Sequence, residues 1–273
     1  MLRQTELLLS KVNGAHEEYN VSCQCAHGLQ ALRVFLGFTE GSAVDTVPVL
    51  AGGNGHTADG KVLVQLVKGG RAAPSAGNGN AGTYLHGLAE MAAIFAQEDI
   101  EVETVQLGHL NVRGCTGCGG CGKLNKCVHD DVVNELIAKF DEADGLVLGS
   151  PVYYASANST LTAALDRLFF CARFPKTMKV GASVAVARRG GCSATFDQLN
   201  KYFTISGMPV ASSQYWNSVH GGAPGDALQD AEGLQTMRTL ARNMAFLMKS
   251  IALGKEKYGL PEREAPQRTN FIR

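Results

Sequence analysis

From Lys61 onward the chain alternates short apolar runs with amphipathic ones, and this alternation constrains the fold more than any other feature of its 273 residues. Strands that alternate with helices bury both faces of a sheet when the strands run parallel and the helices cover each side. The run KVLVQLV reads as a first strand, followed by a Gly/Ala/Ser loop, a helix over 83–97 and the strand IEVETVQL. Asp131 is placed to cap a helix in which Val132, Val133, Leu136, Ile137 and Phe140 form one stripe. Strand 145–148, helix 159–173, strand 180–186, a loop at 188–193, helix 194–205 and strand 209–215 complete five βα units. The expectation is an α/β protein with a doubly wound, five-stranded parallel sheet in three layers.

Four cysteines, Cys115, Cys118, Cys121 and Cys127, fall within thirteen residues of a glycine-rich run. A C-x2-C-x2-C stretch can wrap thiolates around a compact metal–sulfur centre, because the interleaved glycines let the backbone bend and aim N–H groups at sulfur. The first three share the bacterial ferredoxin spacing, but the fourth comes after five residues with no proline behind it. One [4Fe–4S] cluster held by all four is the sharpest reading. A zinc knot and reduced thiols lining a turn are the alternatives. Disulfides are disfavoured, since nothing in the chain marks it for export. Cys171, in an apolar helical run, reads as a small buried hydrophobe.

Ligands of an open doubly wound sheet bind beyond the carboxyl ends of its strands, so the loops after the first, third and fourth strands should converge. After the first comes KGGRAAPSAGNGNAGT, whose Thr83 at a helix start suits a phosphate. After the third comes SPVYYASAN, where Pro151 stiffens the turn and Tyr153 and Tyr154 can pack beside a flat heterocycle. After the fourth comes RRGGCSAT, where Gly190 and Gly191 allow close approach to a ring edge and Arg188 or Arg189 can meet negative charge. One such loop would read as an ordinary turn; three at one edge read as a site. Gly77, Gly79 and Gly82 spell G-x-G-x-x-G, but they lie well beyond the strand end, whereas a dinucleotide fingerprint turns immediately after it. No G-K-[ST] closes the loop as a P-loop would.

Residues 1–60 show no sustained period and read as an N-terminal extension of unassigned role, 61–254 as one domain with a cysteine-rich loop over 114–128, and 255–273 as a polar tail. The 25 basic and 25 acidic residues cancel, which argues against nucleic-acid or anionic-membrane partners recruited by bulk charge. No apolar run is long enough to span a bilayer and no secretory signal is evident, so cytoplasmic residence is expected. In the last helix Leu228, Ala231, Leu234, Met237, Ala241, Met244, Leu247, Met248 and Ile251 recur at helical spacing. The stripe reads as a core or subunit-packing face rather than a cofactor box, and with Tyr215 and Trp216 it suits a homo-oligomer or a face covered by residues 1–60.

The segments GCTGCGGCGKLNKCVHDDVV, ADGLVLGSPVYYAS, ALDR and VARRGGCSATFDQLNKYFTISGMPVASSQYWN together resemble the iron–sulfur flavoprotein branch of the NADPH-dependent FMN reductase family. The resemblance covers about 83–253. It implies a flavodoxin-like fold, non-covalent FMN, NAD(P)H as co-substrate, and dimers or tetramers with the flavin near a subunit boundary. It carries Thr83 to the phosphate loop. Ser150, Pro151, Val152, Tyr153, Tyr154 and Ala155 go to the segment along the isoalloxazine. Arg189, Gly190, Gly191 and Cys192 go to the loop near its pyrimidine end. Cys115, Cys118, Cys121 and Cys127 go to the ligands of a [4Fe–4S] cluster. The sequence departs from the family after its first strand, where Lys68, Gly69, Gly70 and Arg71 and a longer insertion replace the usual G-S-P-R or G-S-P-H turn. The expected activity is FMN-dependent electron transfer between NAD(P)H or a protein donor and a small or protein acceptor, with no acid–base triad required. A relay with no substrate of its own, and a zinc or thiol module without flavin, are the competing functions.

Overall fold

The computed structural model describes residues 60–66, 80–108, 110–223, 225–269 and 271, and for 60–66 and 80–85 the backbone alone. The expected N-terminal extension and the loop after the first strand lie outside the described residues.

Strand β1 (Gly60–Leu66) leads to helix α1 (Asn80–Gln97) and strand β2 (Ile100–Gln106). A short helix α2 (Cys121–Leu124) sits in the cysteine run, followed by α3 (Val132–Glu142) and β3 (Gly145–Tyr153). Strand β4 (Ser156–Ala157), α4 (Ser159–Cys171), β5 (Val180–Ala187), α5 (Cys192–Ile205), β6 (Ser218–His220) and α6 (Ala231–Tyr258) complete the chain. Side chains cap three of these helices: Asp131 accepts from Val133 N at 3.1 Å, Asn158 from Thr160 N at 2.8 Å, and Asp230 from Gly233 N at 2.9 Å.

The sheet runs β2-β1-β3-β5-β6 with every neighbouring pair parallel. This is the flavodoxin-like order, and its switch point lies between β1 and β3. A sixth strand joins the expected five, since β4 folds back antiparallel on β3. Strands β3 and β5 are buried along almost their whole length, which is why they read as unbroken apolar runs. Alternate residues point to two cores. Val147 joins Met91 and Phe95 of α1 and Met237, Ala241 and Met244 of α6. Leu146 and Leu148 join Leu136 and Phe140 of α3, Leu161 and Leu165 of α4, and Phe203 of α5. Helices therefore cover both faces in three layers.

One expectation is corrected. The last strand does not occupy 209–215. Val210 makes a single bridge to Gly181, and the ladder resumes only where Ser218 pairs Ala185. Eight residues on one side thus span four on the other. The excess is everted as a loop in which Ser213 Oγ contacts Tyr215 O at 2.6 Å and Asn217 Oδ1 at 2.7 Å, so a side-chain turn outcompetes the ladder. The apolar stripe of α6 packs as core, one of the two readings its spacing allowed. Leu234, Met237, Ala241, Met244 and Met248 are buried, and Arg238–Glu90 and Lys249–Glu98 bridges, each 3.0 Å, flank the contact with α1. Exposed in this region are Leu228 of the expected stripe, Tyr215 against Trp216 with centroids 4.9 Å apart, Phe246 and Leu253. Among the described residues no helix is long and apolar enough to cross a membrane.

Candidate functional site

At the carboxyl edge of the sheet, β3 and β4 are joined by Tyr154 and Ala155, with φ of 52° and 57°. Two successive positive φ values make a tight turn that normally takes Asn-Gly, so two residues with Cβ atoms hold strain there. Tyr154, at the tip of this turn, is fully exposed. Ser150 and Pro151 are buried in the strand. Ser150 Oγ is spent on the backbone, accepting from Asn158 N at 2.9 Å and donating to Pro151 O at 2.8 Å. They shape the turn, while Val152, Tyr153, Tyr154 and Ala155 reach its surface.

Gly191 opens α5 with φ of 95°, and a Cβ there would lie 2.7 Å from Val152 Cγ1 and 3.0 Å from Ala155 Cα. The loops after β3 and β5 are therefore in contact, as expected from their place in the topology. Gln198 of α5 braces the same hairpin, its Oε1 accepting from Ala157 N at 2.8 Å and Ser156 Oγ at 2.9 Å. Gly190 has nothing within 4 Å of where a Cβ would stand, and Arg189 is exposed. Burial pushes the Cys192 thiol up to about 11, so it stays protonated at neutral pH. Its Sγ lies 3.8 Å from His220 Nε2, which brings the end of β6 to this edge. Thr83 falls within the first turns of α1.

Ahead of α3, the cysteine loop builds a second site on the α3–α4 side. Cys115, Cys118, Cys121 and Cys127 line one pocket, with Cys171 from the end of α4 as a fifth thiol. Cys115 and Cys118 are exposed at its mouth, and Cys121, Cys127 and Cys171 are buried and packed together. Positive φ at Gly117 and Gly119, 66° and 68°, curves the loop around the opening. The Gly120 N–H and then the Thr116 hydroxyl hold the Cys118 thiol below its ordinary range. Burial, and after it the neighbouring Cys121 and Cys127 sulfurs, push the Cys171 thiol up to about 12.

Arg167 of α4 is 1% exposed and crosses beneath this pocket. Its Nη1 and Nη2 donate to the Asp131 carboxylate at 2.6 and 2.8 Å, and also to Arg113 O at 3.1 Å and His129 O at 3.2 Å. Its Nε donates to Cys127 Sγ at 3.1 Å. Burial works against the guanidinium charge, but Asp131 and the Cys127 sulfur outweigh it and keep Arg167 above its ordinary value. Burial likewise pushes the Asp131 carboxyl up, and the bonds from Arg167 and Val133 N more than reverse it, leaving it below the usual carboxylate range. Asn134 fixes Cys127 from the other side, accepting from Cys127 N at 2.8 Å and donating to Cys127 O and His129 O at 3.2 Å each.

The donor set fits an iron–sulfur cluster. Several thiols, one with its thiolate favoured by N–H and hydroxyl donors, share one pocket, and a buried cation donates to another. His129 Nε2, on the same pocket, is buried without a partner. Among the described residues no three His, Cys, Asp or Glu side chains converge tightly enough to grip a single ion. Four cysteines of one glycine-rich loop lining one pocket are the kind of donor set that a polynuclear iron–sulfur centre uses. Beside the hairpin Gly191 is closely packed, while nothing lies within 4 Å of the Gly190 Cβ position, so the space a ring edge would need there is not filled by protein.

Sequence reasoning missed Arg167, Cys171, Asn134 and His220. A signal existed for the first two. Leu161, Ala164, Leu165, Leu168 and Cys171 form the buried face of α4, and Arg167 stands four residues before Cys171 on that face. A cation on an apolar stripe needs a partner, and here the partner is the cysteine loop.

The family model for NADPH-dependent FMN reductase matches residues 76–223. An iron–sulfur flavoprotein of Methanocaldococcus jannaschii is 37% identical over 164 residues, covering 57% of this chain and 85% of its own length. An iron–sulfur flavoprotein of Methanosarcina thermophila is 31% identical over 166 residues, covering 59% of this chain and 85% of its own. The structure of RosB with a bound 8-demethyl-8-formylriboflavin-5′-phosphate intermediate superposes with a TM-score of 0.50 at 15% identity, over 78% of this chain and 94% of RosB, a likeness of fold.

Proposed function

Because the chain belongs to the NADPH-dependent FMN reductase family, in its iron–sulfur flavoprotein branch, we infer that it is an FMN-dependent oxidoreductase with a [4Fe–4S] cluster as its second centre. It moves electrons between NAD(P)H or a protein donor and a small or protein acceptor. When bound, FMN supplies hydride and single-electron chemistry and the cluster supplies single-electron transfer. The observation that most supports this reading is the seating of Gly191 against Val152 and Ala155, which gathers two of the three expected flavin loops at one edge.

In this reading Tyr153 and Tyr154 flank the isoalloxazine, Val152 and Ala155 line its floor, and Ser150 and Pro151 hold the turn in shape. Gly190 and Gly191 bring backbone close to the ring edge, Arg189 meets its negative charge, and the protonated Cys192 thiol is a weak donor beside it. Thr83 serves the phosphate. Cys115, Cys118, Cys121 and Cys127 ligate the cluster, while Cys171 stays a thiol. A reducing, cytoplasmic setting suits thiolates that must remain free for iron. The exposed Tyr215–Trp216 loop and Phe246 suit association into a homodimer or homotetramer.

The exposed Val128 and Phe170 on the pocket of Cys115 and Cys118 favour a second reading, a relay with no substrate of its own, in which protein partners both deliver and remove electrons at the cluster mouth. Anaerobic stopped-flow mixing separates the two. Bleaching of the flavin by NADH or NADPH on the timescale of turnover is expected of the oxidoreductase. No bleaching by either nucleotide would leave the relay.

A further inference from the structure

We propose that Arg167 is a positioning residue that sets the redox potential of the centre held at Cys127, by donating its Nε–H to that ligand sulfur. The proposal rests on the cluster reading above. A guanidinium has five N–H donors, and every one is engaged here. Four go to the two Asp131 carboxylate oxygens, Arg113 O and His129 O, and the fifth goes to Cys127 Sγ.

The four oxygen bonds explain a loop staple. Arg113 precedes the cysteine run and His129 follows it, so one side chain ties both ends of the loop to α4. Closing the loop does not require the fifth bond. A staple with an idle Nε would suffer a buried, unpaired donor unless something accepts from it, and the acceptor present is a sulfur that the reading makes a metal ligand. A neutral thiol is a poor acceptor, whereas a cluster-bound thiolate is a good one. Burial strengthens the effect, because a cation removed from water acts on its neighbours through a lower dielectric. Asp131 offsets part of the charge, but it lies across the guanidinium, on the Nη side, while Nε faces the sulfur. Arg173 Nη2 stands 4.0 Å from Cys121 Sγ on an exposed side chain, a longer and better-solvated contact that contributes less.

Hydrogen bonds to cluster sulfurs favour the reduced form, which carries the extra negative charge, and so raise the potential. Asn134, which holds the Cys127 backbone but bonds no sulfur, is the natural comparison.

The test uses the full-length protein, purified and reconstituted without oxygen, as wild type, Arg167→Gln and Arg167→Lys. Iron and sulfide are counted, and the midpoint is read by EPR-monitored potentiometry with the flavin couple as internal reference. Arg167→Gln is expected to shift the cluster midpoint to more negative potential with the flavin midpoint unmoved, and Arg167→Lys, which restores charge without the fork, to fall between it and wild type. A loaded Arg167→Gln cluster with the wild-type midpoint would overturn the proposal. Pulsed EPR on reduced protein carrying 15N-arginine needs no variant at Arg167. A coupled arginine side-chain nitrogen that persists in Arg173→Lys, at an exposed position, supports the assignment, and no coupling, or coupling lost with Arg173, overturns it. A wild-type chain that takes up no iron instead strikes down the cluster reading, and the proposal with it, a failure recognisable because it appears before any substitution is made.

Discussion

Gly191→Ala probes the joint on which the flavin edge depends. The residue has φ of 95°, and an added Cβ would lie 2.7 Å from Val152 Cγ1 and 3.0 Å from Ala155 Cα. A left-handed backbone with a Cβ costs about 1–2 kcal/mol, and overpacking a fixed contact costs about 1–3 kcal/mol. The hairpin can relieve part of this by moving off α5, so the melting temperature should fall by only several degrees, at about 2–4 °C per kcal/mol for a domain of this size. Flavin binding must bring the two loops together again. If about 2 kcal/mol has to be restored on binding, FMN affinity drops about 30-fold. Gly190→Ala is the paired control, since its Cβ meets no protein atom within 4 Å and its φ is ordinary. Its stability should stay within about 0.5 kcal/mol of wild type. Any loss of FMN affinity in Gly190→Ala would then come from the ligand side and mark that open space as the flavin's. Titration of apoprotein followed by flavin fluorescence, with urea melts on the same samples, gives both quantities. Wild-type FMN affinity in Gly191→Ala would refute the reasoning.

Three further outcomes follow from the cysteine pocket and the surface. Serine at Cys115, Cys118, Cys121 or Cys127 should lower bound iron and sulfide together, whereas Cys171→Ser should retain both; equal losses at all five would assign Cys171 to the ligands. Asp131→Asn leaves Arg167 buried without its counter-charge and should cost about 2–3 kcal/mol at pH 7, below the 3–5 kcal/mol of a fully buried pair because Asp131 keeps 21% side-chain exposure. Since the Asp131 carboxyl is held below its ordinary value, the pair stabilises fully above about pH 4 and is lost as pH falls through the lowered value, so urea melts of wild type and Asp131→Asn should converge in acid. Trp216→Asp should reduce the sedimenting mass if the Tyr215–Trp216 loop packs subunits, and an unchanged mass would remove that surface from any interface.

The buried strands were legible because their residues had to be apolar on both faces. GLVLGS and VGASVAVA carry no competing pattern, and their partners follow from the parallel topology. The last strand was not legible, because PVASSQYWN carries strand-forming residues while a serine turn redirects its backbone. The same misplacement hid His220, whose position beside Cys192 depends on β6 beginning at Ser218. In the cysteine loop the four close-spaced thiols announced themselves by spacing alone. Arg167 and Cys171 did not, since 36 residues separate Arg167 from Asp131, and that contact is fixed only when α4 packs beside α3. Cys171 was read as a buried hydrophobe; it is buried, but among other thiols.

If one chain holds a flavin and an iron–sulfur cluster at separate sites, as proposed, the visible absorption spectrum of protein purified without oxygen shows it most directly, taken with flavin, iron and sulfide analysis of the same sample. Structured flavin bands over a broad brown shoulder, FMN released intact on denaturation, and iron and sulfide near four each per chain are expected. Protein that takes up neither flavin nor iron after anaerobic reconstitution, or that carries zinc in place of iron, would contradict the proposal.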